Sequence, residues 1–183
     1  MTSKIKVNIL ADGGDNSIIT SDGAGSFTAS SSLASSVQSV GGIQNTPLFY
    51  AYITGTQSLS NASETKVQLE TELFDTDNCF DSSTNYRFTP NLAGYYMLVG
   101  SLQINSPSDF DGWQVNIYKN GSEIAHMNGR SEYYNVHKNQ IIAYANGSSD
   151  YFELYARQDS GGSLNINPGQ IRSYFFGYKL IGA

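Results

Sequence analysis

The 183-residue sequence is short of cysteine, of charge and of long apolar runs, and each shortage excludes a class of protein. Cys79 is the only cysteine, so no intrachain disulfide can form and packing or association of copies must supply stability. Charged residues make up 14% of the chain with a net charge of −6, which leaves no basic stripe for nucleic acid or for an anionic membrane. No apolar run approaches the roughly 18 residues of a membrane span, and the first residues lack the apolar core of a signal peptide.

Catalytic motifs are equally scarce. The chain has two histidines, His126 and His137, no serine in a G-x-S-x-G elbow and no H-E-x-x-H motif. Cys79 lies in an acidic, aromatic loop, which predicts a raised thiol pKa rather than an activated nucleophile. We therefore predict that the protein is not an enzyme.

Tyrosine, glycine and uncharged polar residues are abundant instead. The chain has 13 Tyr and 18 Gly, a composition typical of binding surfaces and suited to an extracellular or virion protein. The stretch 85–103 is the most apolar part. Tyr96, Leu98, Leu102 and Ile104 alternate onto one face of a strand, and the other face is apolar too. Such a strand indicates a core on one side and a neighbour on the other.

Short strands and turn signals follow one another along the chain from residue 46. A first strand spans 48–53, and the alternation from Val67 to Leu73 predicts a half-exposed antiparallel strand. The Lys119-Asn120-Gly121 signal predicts a tight hairpin, and Asn146-Gly147 a further turn. The last strand is predicted over 173–181. With no convincing long helix, this pattern predicts a single all-β sandwich or barrel.

Residues 1–45 differ in composition from the rest of the chain. Their composition predicts an extended N-terminal attachment arm or linker, followed by a knob over 46–183. The arm has too few large apolar residues to fold alone. Within its serine-rich part, the i, i+4, i+7 spacing of Leu33, Val37 and Val40 fits a short helix at the axis of a trimer. An extended linker is an equal alternative for residues 30–40.

Loops carry the candidate binding residues. An acidic loop offers Asp75, Asp77 and Asp81 as hard oxygen ligands for a calcium ion, although aspartate is also an ordinary turn former. Exposed aromatics between polar groups suit stacking on sugars or docking to protein. The residues proposed for such a surface are Asp109, Phe110, Asp111, Trp113, Tyr133, Tyr134 and His137. For Phe110 and Trp113 a place in the core is the alternative.

From about residue 47 onward the chain resembles the C1q-like domain of the C1q/tumour-necrosis-factor superfamily. The landmarks occur in the family's order: the aromatic first strand, Phe88-x5-Gly94-x-Tyr96, Lys119-Asn120-Gly121, the segment 147–154, and Phe176-Gly177-Tyr178-x-Leu180. The resemblance implies a ten-strand jelly roll that assembles as a homotrimer and acts as a recognition head, and some C1q-like heads carry calcium. The residues expected at the trimer interface or core are Tyr95, Met97, Val99, Phe175, Phe176 and Tyr178.

The N-terminal stretch SKIKVNIL resembles the start of structural proteins of tailed bacteriophages. Together the two resemblances imply a homotrimeric virion protein whose arm binds other virion proteins. Its knob, exposed on the particle, would bind a host-surface glycan or protein as a tail-fibre or adhesin tip. Alternatives are a capsid decoration protein or head fibre, and a free secreted C1q-like glycan-binding module. A polysaccharide hydrolase that uses Asp75 or Asp81 is the least favoured class.

Overall fold

A computed structural model describes residues 9–11, 13, 17–21, 24, 27–29, 45–105, 109–131 and 136–181. The chain divides into two compact units, residues 1–44 and 45–183. In the described residues the secondary structure consists of strands and turns, without a helix. Accordingly, this part of the chain contains no helix that is long and apolar enough to cross a membrane.

The first unit contains a small antiparallel sheet. Its strands are β1 (Ile9–Ala11), β2 (Ser17–Ser21) and β3 (Phe27–Ala29), with β2 in the middle. Ile9 pairs with Thr20, and Ile19 pairs with Ala29. The region expected to be an extended arm therefore holds a sheet in its described residues. Residues 30–40, for which a helix and a linker were alternatives, lie outside those residues.

The second unit is built from strands of very different length. Eight of its described strands have five or more residues: β4 (Leu48–Tyr52), β7 (Thr71–Asp75), β10 (Ala93–Asn105), β11 (Phe110–Lys119), β12 (Ser122–Ser131), β13 (Val136–Asn146), β14 (Phe152–Arg157) and β16 (Tyr174–Lys179). Five short ones extend the pairing: β5 (Gln57–Leu59), β6 (Thr65–Lys66), β8 (Phe80–Asp81), β9 (Arg87–Phe88) and β15 (Leu164–Ile166).

These strands form two antiparallel sheets. In the first sheet, β10 lies between β13 and β16, and the order continues to β4 and β7, while β15 and β5 extend the far end of β10. The second sheet has the order β12-β11-β14-β9-β8, and β6 also pairs with β14. The chain passes repeatedly from one sheet to the other, since β10 and β13 belong to the first and β11, β12 and β14 to the second.

One hydrophobic core lies between the sheets. The inward side chains of β10, among them Tyr96 and Leu98, are fully buried, as the alternation predicted. Trp113 on β11 and Phe152 on β14 are buried with them in the same cluster. Phe49 stacks on Phe88 at 4.3 Å and on Phe80 at 4.9 Å between ring centroids. Aromatic packing of this kind stabilises the core beyond the area that it buries.

Residues 67–70 connect the two sheets, so the continuous strand predicted over 67–73 is wrong. The amide of Val67 still donates to the carbonyl of Leu154 in the second sheet, whereas β7 pairs with β4 in the first. While the chain crosses, Val67 and Leu69 point into the core, which explains the alternation in the sequence. Leu73, expected on the same buried face, lies in β7 and is 49% exposed.

The β11–β12 hairpin and the β13–β14 turn are held together by one carboxylate. Asn120 and Gly121 have positive φ values of 53° and 77°, as the Asn-Gly signal predicted. Asp150 accepts hydrogen bonds from Asn120 Nδ2 at 2.7 Å and from the amide of Asn146 at 2.9 Å. It also pairs with Lys119 Nζ at 2.8 Å, and the lysine lowers the pKa of the Asp150 carboxyl.

Candidate functional site

The outward side of the first sheet carries a concentration of aromatic and aliphatic side chains, which we call the aromatic face. It arises because the strands of this sheet place apolar residues at both odd and even positions, so one set enters the core and the other points away. The residues of the aromatic face are Tyr50, Phe74, Tyr95, Met97, Val99, Ile142, Tyr144, Tyr174, Phe176 and Tyr178.

The strand register places these side chains side by side in rows. Tyr95 on β10 lies opposite Tyr144 on β13. In the next row, Met97 lies between Ile142 on β13 and Tyr178 on β16. A third row runs from Val99 through Phe176 and Tyr50 to Phe74, across β10, β16, β4 and β7. Side chains within a row are cross-strand neighbours, and successive rows are two residues apart along each strand. The rows therefore form one continuous surface.

Ring packing holds this surface in a fixed arrangement. The Tyr50 ring stacks on Tyr174 at 5.1 Å and on Phe176 at 5.7 Å between centroids. Tyr95 and Tyr144 meet edge to face at 5.5 Å. The Tyr50 hydroxyl donates to the carbonyl of Gln170 at 2.7 Å. Burial, and to a smaller extent the neighbouring Tyr174, raises the Tyr50 pKa to about 12, so its phenol is neutral at physiological pH.

The aromatic face is accessible in the single chain. Ile142 is 55% exposed, Tyr144 49% and Tyr95 45%, while Met97 and Phe176 are half-buried. Monomeric proteins seldom expose a contiguous apolar patch of this extent unless it binds something. Of the residues predicted for the interface or core, Tyr95, Met97, Val99, Phe176 and Tyr178 lie on this face. Phe175 does not, because it alternates inward and is fully buried in the core.

Of the binding residues predicted around position 110, some are exposed and others are buried. Asp109 pairs with Arg130 at 3.4 Å, and both side chains are about half exposed. Asp111 is exposed, and Phe110 packs partly against the core. Trp113 is fully buried, so for this residue the core alternative is the correct one. Tyr133 and Tyr134 lie outside the described residues.

His137 was also predicted on an exposed loop, and that prediction is wrong. It sits on β13 with 5% exposure, 6.0 Å from the Trp113 ring. Its Nε2 is 3.1 Å from the carbonyl oxygen of Arg130. Burial lowers the His137 pKa, which favours the neutral ring. The histidine therefore belongs to the packing between β12 and β13 rather than to a binding loop.

The carboxylates proposed for calcium have structural partners. Asp75 Oδ2 accepts from the amide of Phe80 at 2.7 Å, and Asp77 Oδ2 accepts from the Thr76 hydroxyl at 2.8 Å. Asp81 accepts five hydrogen bonds from residues 83–85. Within the part of the chain that is described, no group of three or more His, Cys, Asp or Glu residues could hold a metal ion. These contacts assign the three aspartates to loop formation.

Cys79 is enclosed in the same region. It is 7% exposed, and its thiol lies 3.5 Å from the carbonyl of Asp77. Burial raises the pKa of the Cys79 thiol, and the carboxylates of Asp75 and Asp77 raise it further. The raised thiol pKa predicted for Cys79 from the sequence therefore agrees with the structure.

A polar cavity of about 510 Å³ was not predicted from the sequence. It opens where the end of β10 meets the loop before β16, and its lining consists of Gln103, Asn105, Asn167, Pro168 and Arg172. The two segments are more than 60 residues apart in the chain. Their meeting depends on the sheet topology, for which the sequence carries no local signal.

Comparison with known proteins supports the fold. No protein-family model matches the chain, and no curated protein matches it.

Among solved structures, murine APRIL aligns over 73% of this chain and 98% of its own, with a TM-score of 0.54 and 10% identity. A structure of murine APRIL at pH 5.0 gives the same coverage and TM-score at 12% identity. Eiger TNF from S. frugiperda aligns over 75% of this chain and 95% of its own, with a TM-score of 0.48 and 10% identity. The predicted all-β jelly-roll sandwich of the C1q/tumour-necrosis-factor type is confirmed.

Proposed function

We propose that this protein is a non-enzymatic homotrimeric structural protein of a bacteriophage particle. In this proposal residues 45–183 form a knob whose three copies join through the aromatic face. Residues 1–44 fix the trimer to other proteins of the particle, and the knob binds a host-surface glycan or protein from the end of a tail fibre.

The aromatic face is the observation that carries the proposal. Removing apolar surface from water contributes about 25 cal/mol per Å², and buried aromatic anchors dominate the energetics of protein interfaces. Tyr95, Tyr144 and Phe176 combine large apolar area with few rotatable bonds, which keeps the entropic cost of ordering them low. A knob that lacks disulfides gains stability by covering this face with copies of itself.

Closed threefold symmetry is the arrangement that the C1q-like resemblance implies for this sheet. In a ring of three, each subunit presents the aromatic face toward the axis and none is left uncovered. The two-sided apolar character of β10 and β16 is then explained, with the core on one side and neighbouring subunits on the other.

The virion role is supported by the N-terminal unit and its sequence. Residues 1–44 form a unit separate from the knob, and their opening stretch resembles that of phage structural proteins. A small terminal unit joined to a self-associating knob suits attachment at one end and recognition at the other. The net charge of −6 is consistent with protein or sugar partners rather than nucleic acid.

Two measurements on the full chain test the proposal. Sedimentation equilibrium should give three times the mass of one chain, and a single chain at micromolar concentration would contradict it. Pull-down by phage particles should need residues 1–44, and immunogold labelling should mark fibre tips. Labelling of tailless capsids would instead identify a decoration protein, and failure to bind any particle would overturn the virion role.

A further inference from the structure

The polar cavity at the end of β10 has the chemistry of a ligand site. It is bounded by three amide side chains, one arginine and one proline, and its volume of about 510 Å³ is in the usual range for small-molecule sites. Gln103 follows Ser101 on the same side of β10, so the cavity lies at the end of the aromatic face that is farthest from Tyr95.

Arg172 supplies the only charge among the described residues of this lining. Its side chain is exposed, and none of the ion pairs formed within the described ranges involves it. Its backbone is nevertheless fixed, because its amide donates to the carbonyl of Gly169 at 2.9 Å and its carbonyl accepts from the Ser101 hydroxyl at 3.2 Å. A guanidinium so placed, in a protein of net charge −6, is available to an anion.

The backbone segments that carry two of these amide side chains are held together by a buried serine. Ser173 is fully buried; its hydroxyl donates to the carbonyl of Asn167 at 2.6 Å and accepts from the amide of Gln103 at 3.2 Å. The backbone amide of Asn167 donates to the backbone carbonyl of Gln103 at 2.7 Å, and the side-chain Nδ2 of Asn167 donates to Gln103 Oε1 at 3.4 Å. These contacts tie the two walls of the cavity together and fix the backbone positions from which the Gln103 and Asn167 side chains extend.

We propose that this cavity binds an anionic sugar, one that carries a carboxylate or a sulfate group. Arginine binds such oxyanions with two parallel hydrogen bonds, and carboxamides both donate to and accept from sugar hydroxyls. A peptide ligand fits less well, because Pro168 is the only apolar side chain in the described lining and offers no pocket for a side chain. The inference rests on the proposed recognition role of the knob and names its ligand class. In a trimer, three such cavities would strengthen binding to a glycan-coated surface by avidity.

The test is binding of the full chain to a printed set of matched oligosaccharides. Each carboxylate-bearing sugar is paired with its carboxyl-reduced form, and each sulfated sugar with its desulfated form. We expect at least one anionic member to bind ten-fold or more above its neutral twin, and the pair that responds distinguishes carboxylate from sulfate. Arg172→Ala should abolish that preference, and Arg172→Lys should retain part of it, because lysine keeps the charge without the bidentate geometry.

Matched controls separate this cavity from general charge effects and from assembly. Arg157→Ala removes one positive charge from the second sheet, where Arg157 pairs with Asp159, and should leave sugar binding unchanged. Asn105→Ala alters the exposed lining without loss of charge and should weaken binding about three- to ten-fold. Equal binding of anionic and neutral twins, or binding that survives Arg172→Ala, overturns the inference. Competition by an acidic peptide in the absence of any sugar signal overturns it as well.

Sedimentation of the same samples distinguishes this inference from the proposed function. A trimer that shows no anionic preference refutes the cavity assignment alone. A monomer that binds an anionic sugar through Arg172 refutes the trimer and leaves the cavity assignment standing.

Discussion

The rings of Tyr50 and Phe176 lie nearly parallel on the outward side of the first sheet, with centroids 5.7 Å apart and 4° between their planes. The two residues are register partners on β4 and β16. Their alignment means that the aromatic face is already ordered before any partner arrives. A preorganised surface binds with a smaller entropic cost than one that must be ordered on contact.

Substitution of Ile142 should dissociate the proposed trimer without unfolding the subunit. Ile142 is 55% exposed in the single chain, so Ile142→Glu should be tolerated by the monomer. In the trimer it would place a carboxylate in an apolar interface, at a cost of several kcal/mol. Sedimentation velocity should therefore show single chains, and far-ultraviolet circular dichroism should still show β structure.

The control for this variant introduces the same charge elsewhere. Asn128 is exposed on β12 in the second sheet, and Asn128→Glu should remain trimeric. A trimer of unchanged stability for Ile142→Glu would mean that the aromatic face is not the assembly surface.

Gly100 should be intolerant of a single added methyl group. It lies on the inward side of β10, and an alanine Cβ there would overlap Leu154 Cδ1 on β14. Overpacking of a core costs about 1–3 kcal/mol, so Gly100→Ala should lower the urea midpoint of unfolding. Gly162→Ala, where no atom lies within 4 Å of the new Cβ, is the matched control and should be neutral. The Leu154→Val change should partly restore stability to Gly100→Ala if the overlap is the cause.

The ion pair between Lys66 and Glu153 should contribute more than a surface pair. The Nζ–Oε1 distance is 2.5 Å, and the Glu153 side chain is only 4% exposed. Lys66→Ala would leave a buried carboxylate without its partner, at a cost of about 3 kcal/mol in the free energy of unfolding. Arg130→Ala, which breaks the exposed pair with Asp109, should cost less than about 1 kcal/mol. Equal costs in urea titrations of the two variants would show that burial does not matter here.

Acid should destabilise the knob through Asp81. The hydrogen bond from the Thr84 amide, followed by that from the Asn85 side chain, holds the Asp81 pKa well below its usual value. A lowered pKa in the folded state means that the stabilising effect is complete above the unfolded value of about 4 and is lost as the pH falls below it. The urea midpoint should therefore be flat from pH 7 to 5 and should decrease between pH 4 and 2. Asp81→Asn should be less stable at pH 7 and should show a weaker decrease; an identical pH profile would exclude Asp81 as a source.

Local patterns in the sequence predicted the features that depend on one strand or one turn. The alternating pattern that includes Tyr96 and Leu98 predicts that both side chains are buried, because successive side chains of a strand point to opposite faces. Asn120-Gly121 predicts its hairpin because few other residues adopt positive φ. The two-sided apolar character of β10 correctly indicated an outward face of unusual composition.

Features that depend on pairing between distant segments could not be predicted in this way. The crossing at 67–70 has the same alternation as a strand, since its side chains enter the core while its backbone changes sheets. Phe175 and Phe176 are adjacent and equally apolar, and only the register shows that the first is buried. His137 was placed on a loop because polar residues surround it, yet β13 begins at Val136 and turns the ring inward.

The buried thiol of Cys79 can be used to measure transient local opening of the fold, because its labelling rate depends on exposure. As the chain's single thiol, only 7% exposed, it should react with a disulfide reagent much faster when the loop around it departs from the native arrangement. The rate of that labelling measures how often the loop between β7 and β8 unfolds locally. The native cysteine serves as the probe, so no substitution is needed.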